Sequence, residues 1–525
     1  MHKNINEEII KELTLKKDLT SEDLACAKRK ICKKYQTACP NNINLLKVYH
    51  NLVKNKSIKE NQIIENILKI RPIRSLSGVV NVSVLTKPYK CPGKCTFCPN
   101  EKDIPKSYMS GEPAVERAKR LRYNPYFQVR RRIDVLESTG HNAEKIDLRV
   151  IGGTWSYYNK KYRIWFAKRC FDAANGKEYV RESFSNKTIK SLWKELEIAQ
   201  RLNETTKYRI VGFSFETRPD YVTRKEVHEM RKLGATKIEI GVQSIYEDVL
   251  QKTKRGHDVE TTIKATKILK NAGFKVSYQI MLNLPLSNKK RDLEMFKELF
   301  SNENFKPDYL KIYPLALVKN SKLYSDYKKG NYKPYTEREL IDLIKDIKKQ
   351  IPCYVRIERI IRDIPAPLIV EGGAKASNLR QIIDREIKKE GWKCKCIRCR
   401  EIKNLAQEKE LRLMREDYAA QNGKEIFLSF EDNNRSLYSM LRLRINPNKT
   451  TIIREVHTYG EAKKIQEKGS VQHRGLGKAL IAEAEKIAKN EFSAKKLSVI
   501  SGVGVRDYYR KLGYNLEDYY MVKIF

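Results

Sequence analysis

The sequence predicts an α/β multidomain chain: a partial parallel (βα) barrel over residues 76–370, followed by a separate α/β unit over 407–525. A small basic helical region, 1–75, precedes the barrel, and 371–406 reads as a linker. Three observations carry that prediction. From Val79 onward short apolar runs alternate with helical stretches, the cadence of βα units and a parallel sheet. A Gly/Pro-bent loop with three cysteines, Cys91-Pro-Gly-Lys-Cys95-Thr-Phe-Cys98, follows the first of those runs. Near the C-terminus, Gln472-His-Arg-Gly475-Leu476-Gly477-Lys478 opens a long amphipathic helix.

Composition narrows the function classes. The 525 residues include 106 Lys+Arg against 64 Asp+Glu, a formal net charge of +42. An enzyme of small neutral molecules has no need of that surplus, so a polyanion is the natural partner, nucleic acid before membrane. A heat-adapted, lysine-favouring organism would explain many lysines, but less easily so one-sided a balance. Eleven cysteines, six of them in two tight clusters, read as metal binding in a reducing compartment rather than a disulfide scaffold. The first residues show no apolar signal core and no run of eighteen apolar residues occurs. A soluble, cytoplasmic chain with no membrane span is therefore expected.

Residues 1–75 carry helical periodicity: Ile9, Ile10, Leu13 and Leu15, then Leu45, Leu46, Val48 and Leu52, then Ile63, Ile64, Ile67 and Leu68. With 16 Lys/Arg against 8 Asp/Glu, this region suits a phosphate backbone, or else caps the next domain. Cys26, Cys32 and Cys39 are too widely spaced for a cluster and read as core or incidental.

Val79 to Leu85 reads as a strand feeding the cysteine loop, and further strand runs follow at 146–151, 209–215, 237–242, 276–284 and 309–313. In such a barrel the active site gathers at the C-terminal strand ends. Three thiolates with three and then two residues between them wrap three corners of an iron–sulfur cluster, leaving one iron open to a small molecule. The CxxxCxxC spacing, with Phe97 before the last cysteine, matches the radical S-adenosylmethionine (SAM) enzymes; the alternative is a zinc knuckle with a distant fourth ligand. Gly152-Gly153-Thr154, Glu216-Thr-Arg-Pro-Asp220 and Glu239-Ile-Gly-Val-Gln243-Ser244 end successive strands, where glycine lets backbone approach a ligand. Arg117, Lys119, Arg120, Arg122 and Arg130–Arg132, with Tyr123, Tyr126 and Phe127 among them, suit phosphates and unstacked bases, or form a solvated helix face.

Cys394-Lys-Cys396-Ile-Arg-Cys399 offers three thiolates within six residues, enough to clamp zinc with one further ligand; a second iron–sulfur cluster is the other reading. In the last unit, strand-like stretches Glu425–Tyr438 and Ser439–Ile445 precede Thr450–Gly460. A Gln-x-x-Gly-x-Gly helix start presents free backbone N–H groups to a pyrophosphate. The later strand 497–500 and Tyr508-Tyr509 complete the order of the GNAT acetyltransferases, which bind acetyl-coenzyme A.

The combination resembles the catalytic subunit of Elongator, the tRNA wobble-uridine carboxymethylating family, in its stand-alone archaeal form. The resemblance runs from about residue 70 to the end, on the strings ETRPDY (216–221), EIGVQS (239–244), TKRGH (253–257), LKIYP (310–314), RDIP (362–365), REVHTYG (454–460), QHRGLG (472–477) and ISGVGVRDYYRKLGY (500–514). It implies a 4Fe–4S cluster on Cys91, Cys95 and Cys98, SAM on its open iron, and Gly152, Gly153 and Thr154 at the methionine end. Glu216 and Gln243 would make polar contacts. Glu455, Val456, His457 and Thr458 would line the pantetheine, Gln472, Gly475, Leu476, Gly477 and Lys478 would seat the pyrophosphate, and Tyr509 would face the sulfur. Lys145 matches a position associated with acetyl-coenzyme A and could hold the acetyl end near the radical site; alternatively it is a surface lysine, as His457 is alternatively a core histidine.

The implied reaction is removal of a methyl hydrogen from acetyl-coenzyme A by a SAM-derived 5′-deoxyadenosyl radical. Addition to carbon 5 of the wobble uridine and thioester hydrolysis then give 5-carboxymethyluridine. Partners implied are the tRNA anticodon stem-loop and an electron donor; self-association is open, and nothing marks docking to other Elongator subunits. Two departures stand out: the compact cysteine spacing, and the Cys394/Cys396/Cys399 cluster that eukaryotic members lack. The rival reading is a protein lysine acetyltransferase with a structural cluster; a third, a tRNA-binding scaffold without catalysis, is disfavoured by two intact cofactor sites.

Overall fold

The computed structural model describes residues 2–16, 18–373, 375–403, 410–461 and 475–525. Helices His2–Thr14, Ser21–Lys34, Asn42–Lys54 and Gln62–Leu68 form the N-terminal unit. Their starts are fixed by side chains: Thr20 and Asp23 make a reciprocal capping box, and Asn41 and Asn61 cap the next two helices. Ile9, Ile10, Leu45, Leu46, Ile64 and Leu68 close a core of their own. The unit joins the barrel through His141, whose Nε2 and Nδ1 meet the Ile70 carbonyl at 2.9 Å and Ser75 Oγ at 2.9 Å. Burial holds His141 neutral, pushing its pKa down to about 4.

The barrel strands are β1 Val80–Leu85, β2 Lys145–Ile151, β3 Arg209–Thr217, β4 Lys237–Gln243, β5 Lys275–Leu282 and β6 Tyr309–Pro314, then β7 Ala316–Val318, β8 Arg356–Arg359 and β9 Ile369–Gly372. β1-β2-β3-β4-β5-β6-β8 pair in that order, every pair parallel, while β7 and β9 form a separate antiparallel ladder. Period-two alternation explains why both faces are buried. Ile146, Leu148, Val150, Ile238, Ile240, Val242, Leu310 and Ile312 belong to the main apolar core, packed with the helices. The alternate positions carry charge.

That charged face is a ladder of ion pairs. Arg149 contacts Asp147 and Glu358, each at 2.9 Å; Lys237 bridges Glu358 at 2.8 Å and Glu239 at 3.2 Å. Lys311 bonds Glu239 and reaches Glu216 at 3.2 Å. Buried charges persist only when paired, and here each has a partner of opposite sign.

The expected linker at 371–406 is corrected by the fold. Helix Leu379–Lys389 buries Leu379, Ile383 and Ile387 against the barrel, and Cys394, Cys396 and Ile397 enter the same core. Ile397 N–H donates to the Val355 carbonyl at 2.9 Å, pinning the cysteine segment beside β8.

The C-terminal sheet contains β10 Arg412–Ala420, β11 Gly423–Glu431, β12 Leu437–Ile445, β13 Thr451–Thr458, β14 Lys496–Val499, β15 Asn515–Glu517 and β16 Tyr520–Ile524. β10 to β13 form an antiparallel meander, β14 joins β13 in parallel, and β16 and β15 complete the edge. Helix Leu476–Asn490 packs Leu480, Ile481, Ala484 and Ile487 on this sheet. The stretch read as one strand, Glu425–Tyr438, is β11, a turn and the start of β12; β10 went unpredicted because its side chains alternate exposed and half-buried.

This sheet seals the N-terminal ends of the barrel strands. Asp308, just before β6, bonds Arg454 Nη1 at 3.0 Å and lies 3.4 Å from Lys270. Glu425 Oε2 takes Arg454 Nη1 at 2.8 Å and its Oε1 takes Arg444 at 3.0 Å. Gly502 and Gly504 touch the first residues of β3: a Cβ on Gly502 would overlap the Val211 carbonyl.

Candidate active site at the two ends of the barrel

At the C-terminal end, the loop after β1 brings Cys91, Cys95 and Cys98 together. Gly93 is the cradle: a Cβ there would lie 3.6 Å from both Cys91 Sγ and Cys95 Sγ, and against Arg218 Nη1. Arg255 Nη1 donates to Cys95 Sγ at 3.4 Å, and its other nitrogens donate to the Gly241 carbonyl. Arg218 is held by Asp220 through two bonds of 2.9 Å, leaving a buried Nη1 without a partner. Two guanidiniums therefore lie against the thiol loop and give it cationic surroundings. Burial first, and Cys95 second, push the Cys98 thiol up to about 11. A donor set of three soft sulfurs, one small residue between them and an orphaned cationic N–H fits an anionic iron–sulfur cluster.

The loop after β2 lies alongside, with Thr154 Oγ1 4.0 Å from Cys91 Sγ. Gly152 takes φ 121°, and a Cβ there would overlap Thr86 Oγ1; Gly153 takes φ 85° and faces open space. Thr86 and Tyr158 hydroxyls both donate to the Gly152 carbonyl, at 2.7 and 3.0 Å. The first glycine is thus needed for packing, and the second leaves its backbone open to a ligand. Glu216, at the end of β3, accepts from Gln279 Nε2 at 3.1 Å, Tyr108 Oη at 3.1 Å and Lys311 Nζ at 3.2 Å. Burial pushes its carboxyl up against the pull of Lys311. Gln243 ends β4 at φ 72° and Asn283 follows β5 at φ 62°, conformations few side chains adopt outside functional loops.

The basic stretch divides into two helices, Pro113–Arg120 and Pro125–Ser138, because Arg122 and Tyr123 turn left-handed at φ 50° and 54°. Arg117 and Arg132 meet Arg74 from the short helix Pro72–Arg74. Burial first, then Arg117 and Arg74, push Arg132 down to about 10, while Arg130 pairs with Asp134 at 3.0 Å. Three half-buried arginines from three elements thus concentrate positive charge on this face.

The opposite end carries a second candidate site. β13 and β14 pair over only three positions, Thr451 to Ile453 with Leu497 to Val499, and β13 then runs on to Thr458. The cleft where these strands part faces helix Leu476–Asn490: a Cβ on Gly477 would lie 3.7 Å from Thr458 Oγ1 and Tyr508 Oη, and 3.8 Å from Val456 Cγ1. A register shift between Arg442 and Leu443 leaves Arg454 as the extra residue of a β-bulge. Two consecutive side chains, Arg454 and Glu455, therefore both face the barrel. Glu455 bonds Tyr309 and Arg442, the latter at 2.9 Å, so its side chain is turned away from the expected pantetheine cleft. His457 also faces the barrel; its Nε2 meets the Ser77 carbonyl at 2.6 Å and its ring stacks on Tyr459, as a core histidine does.

Gly475 starts the helix at φ 87°, Leu476 is half-buried, and Lys478 is exposed at the first turn. Gln472 lies outside the described residues. Tyr509 is buried in the sheet–helix core against Tyr514, whereas Tyr508 brings its hydroxyl to Gly477. Lys145 begins β2. The cleft straddles it: the end of β13 meets Ser77 before β1, and the loop after β14 meets β3. Burial pushes Lys145 down to about 8. At ~3.3 Å per residue, β2 sets Lys145 about 23 Å from Gly152, at the other end of the strand from the thiol loop.

Cys394, Cys396 and Cys399 bring their sulfurs within 4.8 Å of one another, a cage for a single ion; among the described residues no fourth His, Cys, Asp or Glu joins them. No described helix is long and apolar enough to cross a membrane. Arg218, Arg255 and Tyr508 were missed as site residues. The first two sit inside the quoted strings ETRPDY and TKRGH, but spacing alone does not show a guanidinium aimed at sulfur.

Residues 86–299 match the radical SAM superfamily and 307–389 its C-terminal domain. The chain is 43% identical to the "tRNA uridine(34) acetyltransferase" of Methanocaldococcus infernus, over 99% of this chain and 98% of that one. To the enzyme of the same name in Methanocaldococcus jannaschii it is 45% identical, over 89% and 88%. The solved structure of Methanocaldococcus infernus Elp3 with an N-terminal deletion superposes with TM-score 0.74 at 42% identity, covering 86% of this chain and all of that one. Radical SAM membership implies a 4Fe–4S cluster and SAM, which the sulfur donors and cationic surroundings of the Cys91–Cys98 loop fit. With strand order, thiol loop and relatives in agreement, the chain belongs to the radical SAM family of tRNA uridine(34) acetyltransferases and Elongator complex protein 3.

Proposed function

We propose that this enzyme installs a carboxymethyl group on carbon 5 of uridine 34 of tRNA, using SAM, a 4Fe–4S cluster and acetyl-coenzyme A. Its acetyltransferase class rests on the curated relatives, and the rest on the site. The observation that carries it is the pairing of a thiol loop at one end of a barrel with a splayed acetyltransferase-like cleft at the other.

Cys91, Cys95 and Cys98 hold the cluster, which with SAM supplies one-electron chemistry able to act on an unactivated carbon. Arg255 and Arg218 balance the charge of the sulfurs. Thr154 and the open backbone of Gly153 orient the bound methionine end, and Glu216 stays fixed by three hydrogen bonds as a polar wall. At the far end Val456, Thr458, Gly477 and Tyr508 line the pantetheine cleft, Gly475 to Lys478 offer a helix start to the pyrophosphate, and Lys145 stands over the thioester. Arg74, Arg117 and Arg132 take phosphates of the RNA. Zinc on Cys394, Cys396 and Cys399 ties the segment after the barrel to β8. An external donor supplies the electron.

The test is to incubate reconstituted, reduced protein anaerobically with SAM, acetyl-coenzyme A and bulk tRNA, and to analyse the digested nucleosides by mass spectrometry. 5-Carboxymethyluridine that requires all three components is expected. Acetyl transfer to lysine peptides with no modified uridine would favour the protein acetyltransferase reading instead.

A further inference from the structure

Three consecutive loops at the C-terminal end of the barrel each send up a tyrosine. Tyr89 comes from the loop after β1, Tyr157 from the short helix Trp155–Tyr157 after β2, and Tyr221 from the short helix Pro219–Tyr221 after β3. Tyr157 and Tyr221 meet edge to face with centroids 5.9 Å apart, and Tyr89 meets Tyr157 likewise at 6.0 Å. Tyr89 also stacks on the buried Tyr158 at 4.8 Å, which itself bonds the Gly152 carbonyl at 3.0 Å. The patch is therefore keyed to the loop that contains Gly152, Gly153 and Thr154, and Tyr89 stands two residues from Cys91.

These rings are not buried in a core. Tyr89 is 42% and Tyr157 38% exposed. Aromatic surface left open at the rim of a site is a binding feature rather than a packing one. Their backs are fixed: Tyr89 by Tyr158, and Tyr157 by a turn whose Tyr157 and Tyr158 N–H groups bond the Thr154 and Trp155 carbonyls at 3.0 and 3.1 Å. Their free faces suit a flat, weakly polar group, since every nucleobase has a π-face and stacks without regard to sequence. Lys87 and Lys90 flank Tyr89, and the chain's net charge of +42 brings an RNA backbone to this surface. Among the described residues another exposed aromatic pair, Phe127 with Tyr179, joins the helix Pro125–Ser138 to the segment after helix Lys160–Ala174.

Enzymes that act on a base in structured RNA must take it out of its stack and hold it while it reacts. We propose that Tyr89 and Tyr157, steadied by Tyr221, form a stacking platform that receives the extruded wobble base at the rim of the thiol loop. This rests on the tRNA reading given above, and it assigns the base, rather than the phosphates, to this surface.

The test is photo-crosslinking with an anticodon stem-loop carrying 5-iodouridine at position 34, followed by peptide mapping, alongside steady-state turnover on unmodified tRNA. Crosslinks to peptides bearing Tyr89 or Tyr157 are expected. Tyr157→Ala and Tyr89→Ala should each lower kcat/KM for tRNA roughly 10-fold, while the tRNA Kd changes by less than about 3-fold, because phosphate contacts carry the affinity. Tyr157→Phe and Tyr89→Phe should recover most of the loss. Because Tyr89 adjoins the cluster loop, Tyr157 on the next loop is the cleaner variant. Crosslinks elsewhere on protein that does modify uridine 34 overturn the platform alone, as does a Phe variant as impaired as its Ala counterpart. Wild-type protein that modifies no uridine overturns the reading on which the platform rests.

Discussion

The two ends of the barrel are built on opposite principles. At the N-terminal end buried charges are paired with one another, although Arg442 Nη1 and Arg454 Nε lack a hydrogen-bond partner: Asp308 serves Arg454 and Lys270, Glu425 serves Arg454, Arg444 and Lys270, and Glu455 serves Arg442 and Tyr309. At the C-terminal end groups are left wanting: Arg218 Nη1 has no partner, Arg255 points at sulfur, Gly152 and Gln243 hold uncommon backbone angles, and tyrosines stand open. Charge pairs between domains weld them together, whereas a cation facing sulfur and open aromatic rings suit a ligand.

Four changes break or sharpen that contrast. The largest effect is expected from Cys95→Ala, which removes a cluster ligand. Iron content and SAM cleavage should fall to background while tRNA binding stays within a few-fold; SAM cleavage that survives would mean the thiols hold no cluster. Next comes Asp308→Asn at the paired end. It leaves buried Arg454 and Lys270 with Glu425 as the one carboxylate they still share, so about 3–5 kcal/mol of stability should be lost in denaturant unfolding. A third change, Gly502→Ala, pushes a methyl into the Val211 carbonyl and should cost about 1–3 kcal/mol, also read by denaturant unfolding.

The smallest effect is a pH dependence. Lys145 titrates at about 8 in the folded protein, below its usual 10.5. Between those values the unfolded chain binds the extra proton, so this lysine's contribution to stability improves as pH rises from 8 to 10.5 and is least favourable below 8. Compared with Lys145→Met, the wild-type protein should therefore gain stability between pH 7 and pH 10. A constant difference would place Lys145 in solvent.

Much of this was legible in the sequence. The thiol loop, Gly152-Gly153-Thr154 and Glu216 lie where strand-end logic puts them, because a parallel strand's end is marked by its own apolar run. What escaped depended on contacts distant in sequence. The bulge at Arg454 inverts Glu455, and no period-two pattern reveals a bulge. Residues 371–406 read as a linker because the strand-and-helix pattern fades after Pro367, yet Leu379, Ile383 and Ile387 at helical spacing pack the helix Leu379–Lys389 into the barrel core. For Lys145 the family resemblance alone suggests a place near the acetyl group, and the length of β2, which Lys145 starts and Gly152 follows, sets it apart from the thiol loop. Between Tyr508 and Tyr509, neighbours on one helix, packing alone selects the ring that faces the cleft.

One reaction served from both ends of one barrel is tested most directly by isotope transfer. Reconstituted protein would receive SAM, tRNA and acetyl-coenzyme A deuterated in its methyl group, and the 5′-deoxyadenosine formed would be weighed by mass spectrometry. Deuterium in that product, accompanied by 5-carboxymethyluridine in the tRNA, is the predicted result. Deuterium-free 5′-deoxyadenosine beside hydrolysed acetyl-coenzyme A would contradict it, and the two ends would then be separate enzymes sharing a fold.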